Sequence, residues 1–267
     1  MRESSVGDVQ SSVLQEVDGR GIATLTLNRP AKGNAFDPAM RSLFVNMLEQ
    51  LASDASVRML VVRGNGKHFC TGSDVSTMGA SPSEERIELL LCLDAFPKPV
   101  VAVVHGACIG AGLGLICCAD VVIADSSAFF SIPEVRLGIP PLGLMPLIMR
   151  SIGFSAFRRY ALTGERFGGE EAAQLGLVHQ LCPNGGFDEA IGRLSDCLLR
   201  GGPQAISSLK QAWGEMPGAT DIAGLLPALA RLERTSVLGK EAQAGLSSAR
   251  DKRDPPWYQS DGGPATG

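Results

Sequence analysis

Residues 99–124 read PVVAVVHGACIGAGLGLICCADVVIA, an apolar run long enough to raise the question of a membrane span. His105 and Asp120 stand inside it, and Gly106, Gly110, Gly112 and Gly114 interrupt it. The flanks, Val100–Val104 and Asp120–Ala124, are short and rich in β-branched residues. The run therefore reads as a buried strand, a glycine turn, a short helix through Cys117 and a second strand.

The neighbouring sequence extends that alternation. Ser83–Phe96 reads as a helix capped at Ser83 and broken by Pro97-Lys98-Pro99. Arg58–Arg63 is a short buried strand left by the turn Gly64-Asn65-Gly66. Asp37-Pro38 supplies an N-cap with proline at the first helical position, opening an amphipathic helix to about Ser53. Val13–Val17 and Ile22–Leu27 flank Asp18-Gly19-Arg20-Gly21, a β-hairpin signal. Strands alternating with helices indicate a layered α/β domain. After about Met145 strands nearly disappear, and helical patterns cover Leu147–Thr163, Gly169–Gly176, Asp188–Arg200, Pro203–Trp213 and Asp221–Leu246. The expected organisation is a flexible N-terminus over 1–11, a core over 12–200, a helical region over 201–257 and a Gly/Pro/Ala-rich disordered tail over 258–267.

Bulk properties narrow the function. A net charge of -4 gives no reason to expect nucleic acid or an anionic membrane as partner. The seven cysteines are odd in number, and Cys117 and Cys118 are adjacent, so they read as free thiols in a reducing compartment. No CxxC pair or His-rich tract suggests a metal site. The polar start MRESSVGDVQSS has no apolar h-region, and the chain reads as soluble and cytoplasmic.

Three stretches place glycines or an acid at strand ends, where α/β sites sit. HFCTGSDV (68–75) follows a glycine turn whose amides can point at a polarised oxygen, or it is an ordinary strand-exit loop with Asp74 capping the next turn. HGACIGAGLGL (105–115) fails the dinucleotide fingerprint, because its third glycine would fall on Leu115. It offers a helix N-terminus to a thioester oxygen, or simply tight strand–helix packing. Pro133-Glu134 stands in apolar context: Glu134 is a desolvated base or the partner of Arg136. His68, His105 and His179 lack motif partners and read as hydrogen-bonded scaffold. There is no GxSxG elbow, Walker lysine or triad.

Taken in order, these segments resemble the enoyl-CoA hydratase/isomerase (crotonase) family. The resemblance rests on LTLNRP (25–30) with Gly33-Asn34-Ala35, on LVVRGNGKHFCTGSDV, KPVVAVVHGACIGAGLGL, CADVVIA and AFFSIPEVRLGIPP, on LTGERFGGEEAAQLGLV (162–178), and on RDKRDPPW near the end. It covers roughly residues 12–257. It implies a spiral of ββα units with a helical C-terminal region used in trimerisation, as a homotrimer or dimer of trimers. It implies an acyl-CoA substrate and no separate cofactor, coenzyme A being part of the substrate. By position, the two oxyanion-hole amides fall on Ser73 and Ala111. Of the two glutamates of the family's hydratases, the second falls on Glu134 and the first on Gly114, where it is missing. That loss points to one-base, isomerase-type proton transfer, as in single-glutamate Δ3,Δ2-enoyl-CoA isomerases; hydroxycinnamoyl-CoA hydratase-lyases also lack the first glutamate. A decarboxylase, a thioester hydrolase and a non-catalytic acyl-CoA-binding protein remain alternatives. CoA is expected along Arg29, Lys32 and Ala35 and beside Asp74 and Val75, with Lys252 meeting its phosphates.

Overall fold

The computed structural model describes residues 11–77, 83–183, 185–214 and 222–260. Strands β1 (Val13–Val17) and β2 (Ile22–Leu27) form the expected hairpin, with Val13 opposite Leu27 and Val17 opposite Ala23. Asp18 holds its turn by accepting from the Arg20 and Ile22 N–H groups, at 2.9 and 2.8 Å. Helix α1 (Pro38–Ser53) starts where Asp37 accepts from the Met40 N–H at 2.8 Å and buries Met40, Phe44, Leu48 and Leu51. Then follow β3 (Met59–Gly64), α2 (Ser83–Asp94), β4 (Val100–Val104), β5 (Ala107–Ile109), α3 (Ala111–Ile116) and β6 (Val121–Asp125). The run that opened the sequence analysis thus folds as strand, glycine segment, short helix and strand. Helix α2 begins at Ser83 itself; residues 78–82, where a cap would be sought, lie outside the described residues.

The rest of the chain is less purely helical than its pattern suggests. β7 (Phe129–Ser131) precedes α4 (Met145–Thr163), and β8 (Arg166–Gly168), α5 (Gly169–Gln174) and β9 (Gln180–Cys182) follow it. Two strands therefore lie beyond Met145. Strands β5, β7, β8 and β9 have three residues each, too short for the period-2 alternation that reveals a strand. Helices α6 (Phe187–Arg200) and α7 (Pro203–Gly214) match their patterns. The stretch read as one helix to Leu246 is two, α8 (Ile222–Val237) and α9 (Lys240–Arg250), because Gly239 adopts an extended conformation at the N-cap of the second.

The main sheet has the order β1-β2-β3-β4-β6-β9, parallel from β2 onward. A parallel sheet must be covered on both faces, and alternate residues serve the two sides. Leu60, Val62, Val100, Ala102, Val104, Val122 and Ala124 join the larger core with α1, α2 and α3. Met59, Val61, Val101, Val103 and Ile123 join a second cluster closed by Ala190 and Leu199 of α6. A smaller sheet, β5-β7-β8, sits beyond the ends of β4 and β6.

The C-terminal helices are tied to the starts of the strands. Arg58, just before β3, donates to the carbonyls of Leu199, Gly201 and Trp257, and Trp257 Nε1 donates to Arg200 O at 2.9 Å. The tail expected from residue 258 begins in place: the Arg200 guanidinium lies 4.1 Å from the Tyr258 ring centroid, and Arg20 Nε donates to Gln259 O. Residues 1–10 and 261–267 lie outside the described residues. No helix among the described residues is long and apolar enough to cross a membrane.

Asp120 joins α7 to the sheet: one carboxylate oxygen accepts from the Val100 N–H at 2.7 Å and pairs with the Lys210 ammonium, whose side chain is only 6% exposed. Asp120→Ala leaves a buried cation and a strand amide unpaired. We expect a loss of about 3–5 kcal/mol in urea unfolding; a loss below about 1 kcal/mol would show that the pair contributes no more than a surface bridge.

Candidate active site

The site grows from the ends of β3 and β4. Beyond them the chain stays paired: Phe69 N–H donates to His105 O (2.9 Å), Cys70 N–H to Ala107 O (3.1 Å), and Ile109 N–H to Cys70 O (2.9 Å). On the other side Thr71 N–H donates to Gly33 O, Phe36 N–H to Gly72 O and Asp74 N–H to Phe36 O, each at 2.9 Å. Segments 33–36, 70–74 and 107–111 consequently lie side by side. Asn34, buried and at φ 57°, braces them: its amide nitrogen donates to the carbonyls of Asn65, His68 and Phe69, and its oxygen accepts from Arg29 N–H.

This pairing leaves two amides unused. Phe36 engages the groups on either side of Ser73, so the Ser73 N–H points away from that partner. Ala111 is the first residue of α3, where an N–H has no acceptor within the helix. Gly110 turns the chain into that helix at φ 54°, ψ -116°. Gly72 (φ 103°) permits the close approach of the two segments. A Cβ there would lie 3.2 Å from Ile109 O and 3.6 Å from Ala111 N. Two free donors on adjacent segments are what a developing oxyanion needs.

Glu134 opens a single 3-10 turn, Glu134–Leu137, ended by Gly138 in the left-handed region. A Cβ on Gly110 would collide with Glu134 Oε1, so the carboxylate lies directly over the residue preceding Ala111. Its Oε2 is buried without a hydrogen-bond partner. Arg136, the salt-bridge partner considered from sequence, donates instead to Thr163 O at 3.2 and 3.0 Å. Burial pushes the Glu134 carboxyl above its ordinary value, opposed only by its own backbone N–H.

Among the described residues, leucines and not an acid lie nearest Gly114. The three heavy atoms nearest a Cβ built there are methyl carbons: Leu144 Cδ2 at 2.7 Å and Leu90 Cδ1 and Cδ2 at 3.4 and 3.6 Å. Leu90 and Leu144 were not singled out from sequence. The one available signal was the charge-free run 137–149 directly after the candidate acid.

The remaining candidates have diverse placements. The Arg29 guanidinium pairs with Asp37 and Asp74, at 3.0 and 3.2 Å, and donates to Ala35 O, so it binds segment 29–37 to the turn after Ser73. Hydrogen bonds from the Ser76 hydroxyl and N–H, with Arg29 beside them, hold the Asp74 carboxyl below the usual carboxylate range. Ala35 is buried, whereas Lys32 is exposed and Val75 is 64% exposed. Lys252 is exposed on the turn after α9, in the segment anchored by Arg58 and Arg200 at the starts of the strands.

A model of the family described as enoyl-CoA hydratase/isomerase matches residues 18–260. The chain belongs to that family. The 2,3-dehydroadipyl-CoA hydratase of Escherichia coli (strain K12) is 34% identical over 240 residues, 88% of this chain and 94% of its own. The hydroxycinnamoyl-CoA hydratase-lyase of Pseudomonas fluorescens is 31% identical over 206 residues, 72% of this chain and 75% of its own. A crystal structure of an enoyl-CoA hydratase from Shewanella pealeana matches with a TM-score of 0.85 at 34% identity, covering 92% of this chain and 96% of that one. The fold is accordingly the crotonase fold that the sequence resemblance implied, and the protein is an enzyme of the enoyl-CoA hydratase/isomerase family.

The three histidines and the buried thiols Cys70 and Cys117 are occupied or inert. His68 Nδ1 accepts from the Ala107 N–H, His105 Nε2 meets Gly66 O, and His179 Nδ1 accepts from the Val122 N–H, all as scaffold. Burial raises the Cys70 and Cys117 thiols to about 12, which removes them as nucleophiles. No group of three or more His, Cys, Asp or Glu residues among those described is placed to hold a metal ion.

The raised Glu134 carboxyl makes a pH prediction for its expected role as the base. A base must be ionised to take a proton, and its carboxyl is raised, so the acid limb of kcat/KM should lie above that of an ordinary glutamate. The linked stability has the opposite sense. A raised folded-state value favours the folded protein below the unfolded-state value, and that gain is lost as pH rises through the folded-state value. Glu134→Gln should therefore have an equal or higher Tm than the parent at pH 7; a clearly lower Tm would mean that the carboxylate has a stabilising partner.

Proposed function

We propose that the protein acts on an unsaturated acyl-CoA, holding the thioester oxygen on the Ser73 and Ala111 N–H groups, with Glu134 as the only general acid/base. One observation carries this reading: a buried carboxylate oxygen without a partner, on a side chain lying over the residue that precedes Ala111. An unpaired buried carboxylate costs stability, and a site that moves protons is where such a cost is retained. Glu134 takes a proton from C2 of a 3-enoyl-CoA. The two amides hold the oxygen of the resulting dienolate, and the protonated Glu134 returns the proton to C4. Each such amide contributes on the order of 3 kcal/mol to the barrier lowering.

The CoA moiety runs along segment 29–35 and past Val75. Lys32 is the exposed cation for a phosphate there, and Arg29 shapes the groove through its two carboxylate pairs rather than through a free charge. Lys252 reaches CoA across a subunit boundary, in a homotrimer or dimer of trimers. The reaction uses no cofactor beyond the CoA of the substrate. Seven free thiols, five of them buried, suit a reducing cytoplasm. Hydration is the second reading, favoured by the name of the 34%-identical Escherichia coli relative.

A panel of 2-enoyl-, 3-enoyl- and aryl-enoyl-CoA substrates, with products identified by mass and double-bond position, separates these readings; conversion of 3-enoyl- to 2-enoyl-CoA is expected. In Glu134→Gln, turnover should fall about 10²–10⁴-fold while acyl-CoA binding persists. Turnover near the parent rate would remove Glu134 from the mechanism.

A further inference from the structure

The Gly114 N–H donates to Gly110 O at 3.0 Å, so Gly110, which precedes α3, and Gly114 within it are linked by one backbone hydrogen bond. Glu134 Oε1 lies over the first and Leu144 Cδ2 over the second. The carboxylate of the proposed proton carrier and a leucine methyl thus lie over two residues joined by that bond. Leu90, buried, backs Leu144 from α2. Further along, Gly143 lies over Ile87: a Cβ there would be 3.2 and 3.3 Å from Ile87 Cγ1 and Cδ1. A bound water needs two to four polar partners, and these aliphatic carbons supply none.

We propose that Leu144, backed by Leu90, determines which reaction this site performs. It fills the space a second carboxylate would need and denies a water a place from which to attack C3 of the 2-enoyl thioester. This rests on the one-base reading above. With Leu144 in place, the proton taken from C2 returns to C4. The C1=C2 electron pair closes as C2=C3, the C3=C4 pair forms the new C4–H bond, and the thioester carbonyl re-forms; no atom enters or leaves. Hydration would instead require a water oxygen to bond C3 and a proton to reach C2, with a second polar group to hold that water.

The geometry also constrains Gly114→Glu. Its Cβ would stand 2.7 Å from Leu144 Cδ2, so a glutamate fits only if the leucine moves.

The test uses the full-length protein with 3-hexenoyl-CoA and 2-hexenoyl-CoA, reading from initial rates the ratio of 3-hydroxyacyl to 2-enoyl product within each variant. The parent should give the double-bond shift almost alone. Leu144→Ala and Leu144→Asn, the second branched like leucine but smaller and able to hold a water, should raise the ratio about tenfold or more, a barrier difference of about 1.4 kcal/mol. The double variant Leu144→Ala/Gly114→Glu should raise it further, and Gly114→Glu alone should not. An unchanged ratio in all three Leu144 variants, or a parent that chiefly hydrates, overturns the role of Leu144. Exchange of the C2 hydrogens of hexanoyl-CoA with deuterium oxide, measured on the parent, isolates the underlying reading: exchange shows Glu134 and the two amides at work whichever product forms. Its absence, together with no double-bond shift, overturns both.

Discussion

The reciprocal bonding of Cys70 to the chain opposite it, N–H to Ala107 O and O to Ile109 N–H, is the constraint on which the site depends. β3 and β4 are neighbours in the parallel sheet, but parallel strands alone do not keep their exits together. The exchange at Cys70 extends the pairing past both strand ends and carries it to residue 109, immediately before the turn into α3. Everything beyond follows from that register. Shifted by one residue, the alternation would turn the opposite backbone groups toward the cleft, and Ser73 would present its N–H to Phe36.

Polar bracing is concentrated at the same place. Asn34 satisfies three carbonyls of the loop leading to Cys70, and Arg29 links the segment around Asn34 to Asp74 on the far side of Ser73. Such groups, buried or half-buried, are tolerated because each has its partners. Glu134 breaks that rule within the same cleft. Its Oε2 has no donor, and the nearby arginine is drawn away by Thr163 O. The contrast between a satisfied frame and one unsatisfied acid separates scaffold from chemistry more sharply than residue type does.

Much of this was legible in the sequence because it is local. Alternating apolar residues mark β2 and β3, Asp37-Pro38 marks the start of α1, and glycines in 99–124 mark a strand leading to a short helix. What escaped is non-local or too short. Three-residue strands such as β5 and β8 have no period to read. Arg29 looks like a ligand for phosphate until Asp37 and Asp74 are seen on either side of it, the second 45 residues away. Glu134 and Arg136 are close in sequence, yet the 3-10 turn sends Arg136 to Thr163 O and leaves Glu134 Oε2 without a partner. Gly114 announced a missing carboxylate, but only the fold shows that leucines from two other segments occupy its place.

The apolar cover and the raised carboxyl are consequences of one arrangement. Removing water from around Glu134 disfavours its charged form, which makes the carboxylate a stronger base toward the C2 hydrogen in the proposed reaction. The leucines over Gly114 place further hydrocarbon over the helix that begins just after Gly110. A hydratase needs the opposite along this wall, a polar group to orient water, and cannot have it without hydrating the base as well. With one carboxylate replaced by hydrogen and its space filled by hydrocarbon, the proposed reaction has the remaining acid both remove and return the proton while the Ser73 and Ala111 amides hold the charge between the two steps.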